Sequence, residues 1–101
     1  MRILMNIRFP TPEFNALMRS GAISETMNHI LDELKPENVY FTEQGGQRMA
    51  ILIVNLDQAA SIPRLAEPWF LKFNAIVEFH AVMTPDDLKA SGLESLAQKW
   101  A

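Results

Sequence analysis

The sequence predicts an α+β fold whose elements run βαββαβ, with one more helix after the last strand. Three observations carry this. Apolar residues alternate from Ile3 to Phe9 and again from Ala75 to Met83. Two β-rich runs, Val39 to Thr42 and Arg48 to Asn55, flank Gly45-Gly46. The intervening segments place apolar residues three and four apart, as helices with one buried face do. At 101 residues the chain is the size of one domain, so a single core over residues 1–101 is expected.

In strand one, Ile3, Met5, Ile7 and Phe9 alternate with Leu4, Asn6 and Arg8. Thr11-Pro12-Glu13 then supplies a capping hydroxyl, a first-turn proline and an acid, opening a helix that breaks at Ser20-Gly21. A second helical stretch carries Ile23, Met27, Ile30, Leu31 and Leu34 on one face, and Pro36 closes it by disfavouring helical geometry at Lys35. Strands two and three follow, joined by a glycine hairpin over Glu43 to Gln47. Arg48 to Val54 is apolar on both faces, as in a strand covered on both sides. Asp57 can cap the next helix, whose stripe is Ile62, Leu65, Ala66, Trp69, Phe70 and Phe73; Pro63 and Pro68 are expected to split it into short turns. In strand four, Val77, Phe79, Ala81 and Met83 oppose Ile76, Glu78, His80 and Val82. Thr84-Pro85-Asp86-Asp87 is a second helix start with Asp87 at the capping-box position, and Leu88, Leu93, Leu96 and Trp100 mark the inner face of a terminal helix.

The order βαββαβ is the split β-α-β pattern of the ferredoxin-like fold, one antiparallel sheet with both crossovers on one face. The face bearing Ile3, Met5, Ile7, Val77, Phe79 and Ala81 is uniformly apolar and belongs beneath the helices. The opposite face is expected to carry Leu4, Asn6, Arg8, Ala50, Leu52, Val54, Ile76, Glu78, His80 and Val82, a mixture too apolar for water. The expected partner is therefore a second copy, in a homodimer joined through this open face.

The stretch from Ala66-Glu67-Pro68-Trp69-Phe70 through Val77-Glu78-Phe79-His80 to Val82-Met83-Thr84-Pro85-Asp86-Asp87-Leu88 resembles a group of small uncharacterised bacterial proteins. Their architecture is similar to the dimeric α+β barrel superfamily. Where that group tends to carry a proline after the strand-four histidine, this chain has Ala81. The wider superfamily spans cofactor-free monooxygenases, isomerases, haem enzymes and plain ligand binders. The resemblance thus implies a dimer with two sheet-lined cavities and no particular chemistry.

Composition narrows the partners. A net charge of −3 and scattered Lys and Arg argue against nucleic acid or an anionic membrane, both of which need a concentrated basic surface. The absence of cysteine removes disulfides, thiolate zinc sites and a cysteine nucleophile. Charge and amide interrupt Met1 to Arg8, so no signal peptide or membrane span is read there and a cytoplasmic location is expected.

In the strand order 4-1-3-2, strand one is antiparallel to strand four, which brings Arg8 near Ile76 or Glu78 and Asn6 near Glu78 or His80. A carboxylate beside an imidazole can orient it, and a nearby arginine can hold an anionic oxygen. His80 as base, Glu78 as its orienter, and Arg8 and Asn6 as oxyanion contacts would suit proton abstraction next to a carbonyl. The substrate class would be a carbonyl or aromatic metabolite, with no cofactor called for. The alternative is an Arg8–Glu78 ion pair that fixes dimer register, with His80 bonded to a backbone carbonyl, in a non-catalytic interaction module. Tyr40 is either a further ligand contact or an ordinary edge-strand tyrosine. His29 reads as part of a solvated helix face. Two histidines far apart in sequence offer no metal-ligand spacing, so no metal is expected, and nothing distinguishes an axial haem ligand from a core histidine. Gly45-Gly46 lacks the Lys-Ser/Thr of a phosphate loop, and Asp86-Asp87 reads as helix capping. Trp100 is placed where it would reach a neighbouring chain.

Overall fold

The computed structural model describes residues 1–101. Strand β1, Arg2–Arg8, lies between β3, Gln47–Asn55, and β4, Ile76–Ala81; β2, Asn38–Gln44, is the edge beyond β3. All three pairings are antiparallel, and the order β2-β3-β1-β4 is that of the split β-α-β pattern. Helices α1, Thr11–Ser20, and α2, Ile23–Leu34, form the first crossover; a 3-10 turn at Ala59–Ser61 and helix α3, Ile62–Phe73, form the second. After β4 come α4, Pro85–Ala90, and α5, Leu93–Trp100. No helix is long and apolar enough to cross a membrane.

One side of the sheet is buried. Ile3, Met5 and Ile7 of β1 and Ala50, Leu52 and Val54 of β3 pack against Ile30 and Leu34 of α2 and Leu65, Trp69 and Phe73 of α3. Phe9, Phe14, Trp69 and Phe73 stack into an aromatic cluster with ring centroids 4.8–6.0 Å apart. Ala50, Leu52 and Val54 therefore belong beneath the helices, a correction to their expected place on the open face. Both faces of β3 are apolar, so alternation could not set its phase. The hairpin sets it: Gly45 and Gly46, both at positive φ, make a two-residue turn that pairs Gln44 with Gln47, where the sequence predicted a longer loop. With that register Met49, Ile51 and Ile53 face out, opposite Arg8, Asn6 and Leu4.

Two further expectations are corrected. Helix α3 is continuous through Pro68. An internal proline costs about 3 kcal/mol, but Leu65, Trp69 and Phe73 are each buried from that one helix, and each such burial contributes about 1.5–3 kcal/mol. The packing wins. At α1, Thr11 is the first helical residue and makes no cap; Pro10 precedes it with no side-chain bond to the free N–H groups.

The second start signal does form. Thr84 Oγ1 accepts from Asp87 N–H at 3.1 Å and Asp87 Oδ2 accepts from Thr84 N–H at 3.0 Å, a reciprocal capping box. Hydrogen bonding to the Asp87 carboxyl, first from the Thr84 backbone N–H and then from the Thr84 side chain, holds it below its ordinary value of 3.8. The carboxylate is thus favoured in the folded chain, so the cap contributes fully above pH 3.8 and is lost as pH falls through the lower folded value. Amide chemical shifts of Thr84 and Asp87 are expected to lose their capped values over that acidic range, and to be insensitive to pH there in Asp87→Asn.

Candidate functional site

The face of the sheet away from the helices is built as rows across the strands. Tyr40, Ile51, Asn6 and Glu78 form one row, each residue opposite the next. Asn38, Ile53, Leu4 and His80 form the adjoining row, and Thr42, Met49, Arg8 and Ile76 the row on the other side. Neighbouring strands lie about 4.8 Å apart, so Asn6 and Glu78 are immediate neighbours, while Tyr40 stands on the order of 10 Å from Asn6. The expected registers are met: Arg8 lies opposite Ile76, and Asn6 opposite Glu78. Tyr40 shares the face through its pairing with Ile51.

Asn6 and Arg8 are half-buried on this face; Glu78, His80 and Tyr40 are exposed. Asn6 and Glu78 are direct neighbours, Arg8 and His80 stand in the rows on either side, Tyr40 is two strands from Asn6, and none of the five is bonded to another. The side-chain bonds between residues distant in sequence are the Met1 amino group to Asn55 Oδ1 at 3.1 Å, Arg2 to Glu37 at 3.2 Å and Arg48 to Asn15 at 2.9 Å, and none involves them. The Arg8–Glu78 ion pair of the alternative reading does not form within the chain, where the arginine–carboxylate pair is Arg2–Glu37. Arg8 Nε is buried with no partner. An unpaired buried donor on a charged group costs at least about 1–3 kcal/mol, so this nitrogen is the group on the face with most to gain from an acceptor.

Around these polar groups the face is apolar: Leu4, Ile51, Ile53 and Val82 are half-buried, and Ile76 and Tyr40 are 50% and 57% exposed. Arg2 was not singled out in the sequence, yet it stands at the end of this face and pairs with Glu37 across it. Its signal lies only in the alternation of β1, which puts residues 2, 4, 6 and 8 on one side.

Grooves also lie elsewhere, two of them larger than a third of about 200 Å³ beside α2. One, of about 390 Å³, runs between α2 and α3 and is lined by His29, Ile30, Glu33, Arg64, Pro68 and Lys72, among others. It draws His29, read from sequence as part of a solvated face, to a groove edge, 3.9 Å from Glu33 in the next helical turn. The other, of about 510 Å³, sits in the bend between α4 and α5. Nowhere do three His, Asp or Glu side chains converge as a metal site would need. No family model, curated protein or solved structure matches the chain.

Proposed function

We propose that the chain works as a homodimer joined through its open sheet faces, with a small-molecule site between them for a carbonyl or aromatic metabolite. The observation that carries this reading is Arg8 Nε, buried without an acceptor in a face that is otherwise apolar and holds Asn6, Glu78 and His80 unpaired. A carboxylate, enolate or carbonyl oxygen of a ligand would satisfy that nitrogen, and Asn6 two residues along the same strand face would supply a second donor. Glu78 and His80 are also two residues apart on one face of β4, about 7 Å between Cα atoms, within reach for the carboxylate to orient the imidazole. In that arrangement His80 removes a proton from the carbon next to the carbonyl while Arg8 and Asn6 hold the developing oxyanion. The apolar rows supply the walls, and closure of the two faces excludes water.

A second reading has its own support. Arg8 and Glu78 lie in adjoining rows yet leave each other unpaired, as they would if each met the opposite charge of a second copy. The dimer is then an interaction module with no ligand. Native mass spectrometry of the freshly purified wild type and of His80→Ala separates the two. The small-molecule reading expects a dimer with reproducible extra mass that is lost in the variant while the dimer persists. A bare dimer in both, weakened by His80→Ala, supports the interaction module and counts against the site.

A further inference from the structure

Helices α4 and α5 are specified by sequence but have nothing to pack on in their own chain. Helix α4 opens with a full capping box, and α5 repeats apolar residues at Leu93, Leu96 and Trp100, one face of a helix. Yet neither helix has a buried residue, and Trp100 is 77% exposed where the chain's other tryptophan, Trp69, is 0%. The predicted terminal helix with a buried inner face is thus corrected to two short helices, bent at Gly92 with φ +75, that project from the body. The projection shows in the dimensions. The molecule is 59 Å along its longest axis, and its radius of gyration of 17.0 Å exceeds the roughly 13 Å of a compact chain of this length. Isolated helices shorter than about 12–15 residues are marginal in water, so helices of six and eight residues need a packing surface from somewhere.

We infer that α4–α5 is an exchanged arm, which lays its Leu88, Leu93, Leu96 and Trp100 face on the body of a second copy of this chain, beside the open sheet face. The inference rests on the dimer reading and deepens it, because the arm then closes the site that the two faces enclose. Three observations select a second copy as the occupant. The arm leaves the sheet at Val82, whose N–H bonds Arg2 C=O, and Arg2 stands at the end of the open face, so the arm starts from the border of that face. Charge on the arm is nearly balanced, with Asp86, Asp87 and Glu94 against Lys89 and Lys99, which suits a mixed protein surface and not a polyanion. Area is the third. Five exposed side chains, Met83, Leu88, Leu93, Leu96 and Trp100, at on the order of 100 Å² each, bring roughly 1,000 Å² from two arms; with the open faces added, the total enters the roughly 1,200–2,000 Å² range of stable interfaces. The bend at Gly92 adds a concave seat, lined by Leu88 and Leu93, for an element of the partner.

The test uses the whole natural chain, which has two lysines on the arm, Lys89 and Lys99, and two on the body, Lys35 and Lys72. Equal amounts of 14N- and 15N-labelled chains are co-refolded, cross-linked through their amines and digested. Exchange predicts that arm-to-body cross-links join light to heavy peptides about as often as light to light plus heavy to heavy. In parallel, Leu96→Ser is expected to raise the dimer dissociation constant about 30-fold or more, the loss of one central contact, without lowering the helical signal of the body. A dimer whose arm-to-body cross-links are all of one label overturns the arm while leaving the dimer reading intact. A dimer with unchanged affinity in Leu96→Ser overturns it equally. A wild type that stays monomeric overturns both.

Discussion

Replacing Trp69 with alanine is expected to cost about 3–5 kcal/mol, a large fraction of the roughly 5–15 kcal/mol that a domain of this size has in total. The indole is fully buried where α3 meets the sheet, 6.0 Å from the rings of both Phe9 and Phe73. Those rings are held in turn by Phe14, so the cavity has rigid walls and little freedom to collapse. Trp69→Phe should behave differently. Indole Nε1 is buried without a hydrogen-bond partner, so exchanging the ring for phenyl removes an unsatisfied donor as well as volume. Urea unfolding followed by circular dichroism is expected to show a large drop in midpoint for Trp69→Ala and a drop less than half as large for Trp69→Phe. Equal drops would mean that ring volume alone matters at this position.

The second large effect comes from two neighbouring residues with opposite fates. Leu52 is fully buried opposite Met5, on the helix side of β3; Ile51 is half-buried opposite Asn6, on the open side. Leu52→Glu puts an unpaired carboxylate into the core, which costs several kcal/mol even after the group neutralises itself, so the variant should not fold. Ile51→Glu puts the carboxylate on the solvent side of the single chain and gives up only half-buried contacts, a cost of about 1 kcal/mol. In a face-to-face dimer, however, the same carboxylate is buried without a partner, which should weaken association by two orders of magnitude or more. The expected result is a folded monomer for Ile51→Glu and an unfolded chain for Leu52→Glu, read by thermal melts and by light scattering behind size exclusion. Reversed behaviour would restore Ala50, Leu52 and Val54 to the open face and undo the hairpin register.

These two positions also mark where the sequence was readable. Strand β1 alternates apolar and polar residues, so the faces of Ile3, Met5 and Ile7 and of Asn6 and Arg8 followed from spacing alone; with the strand order they brought Asn6 near Glu78 or His80, and the register places it opposite Glu78. Strand β3 has no polar side to betray its phase, and its true register depends on a two-residue turn that a five-residue reading of the loop obscured. Pro68 misled in another way. Local propensity opposed a continuous α3, and the combined burial of Leu65, Trp69 and Phe73 overrode it, a tertiary effect no local signal reports. Helices α4 and α5 show the converse: Thr84, Pro85 and Asp87 announced a helix correctly, but the spacing of Leu88, Leu93, Leu96 and Trp100 predicted a buried face where neither helix has a buried residue. The polar cluster was legible as a set of residues. Its key feature, the unpartnered Arg8 Nε, was not, because sequence shows which groups share a face and not which of them lack a bond.

The whole account turns on the open face meeting a second copy, and sedimentation equilibrium of the wild-type chain tests that most directly. A mass of twice the 11.5 kDa chain at micromolar concentration, reverting to one chain in Ile51→Glu, is the expected result. A wild type that stays at 11.5 kDa up to millimolar concentration would contradict it, and would leave Leu4, Ile53, Ile76 and Val82 exposed to water with no partner to cover them.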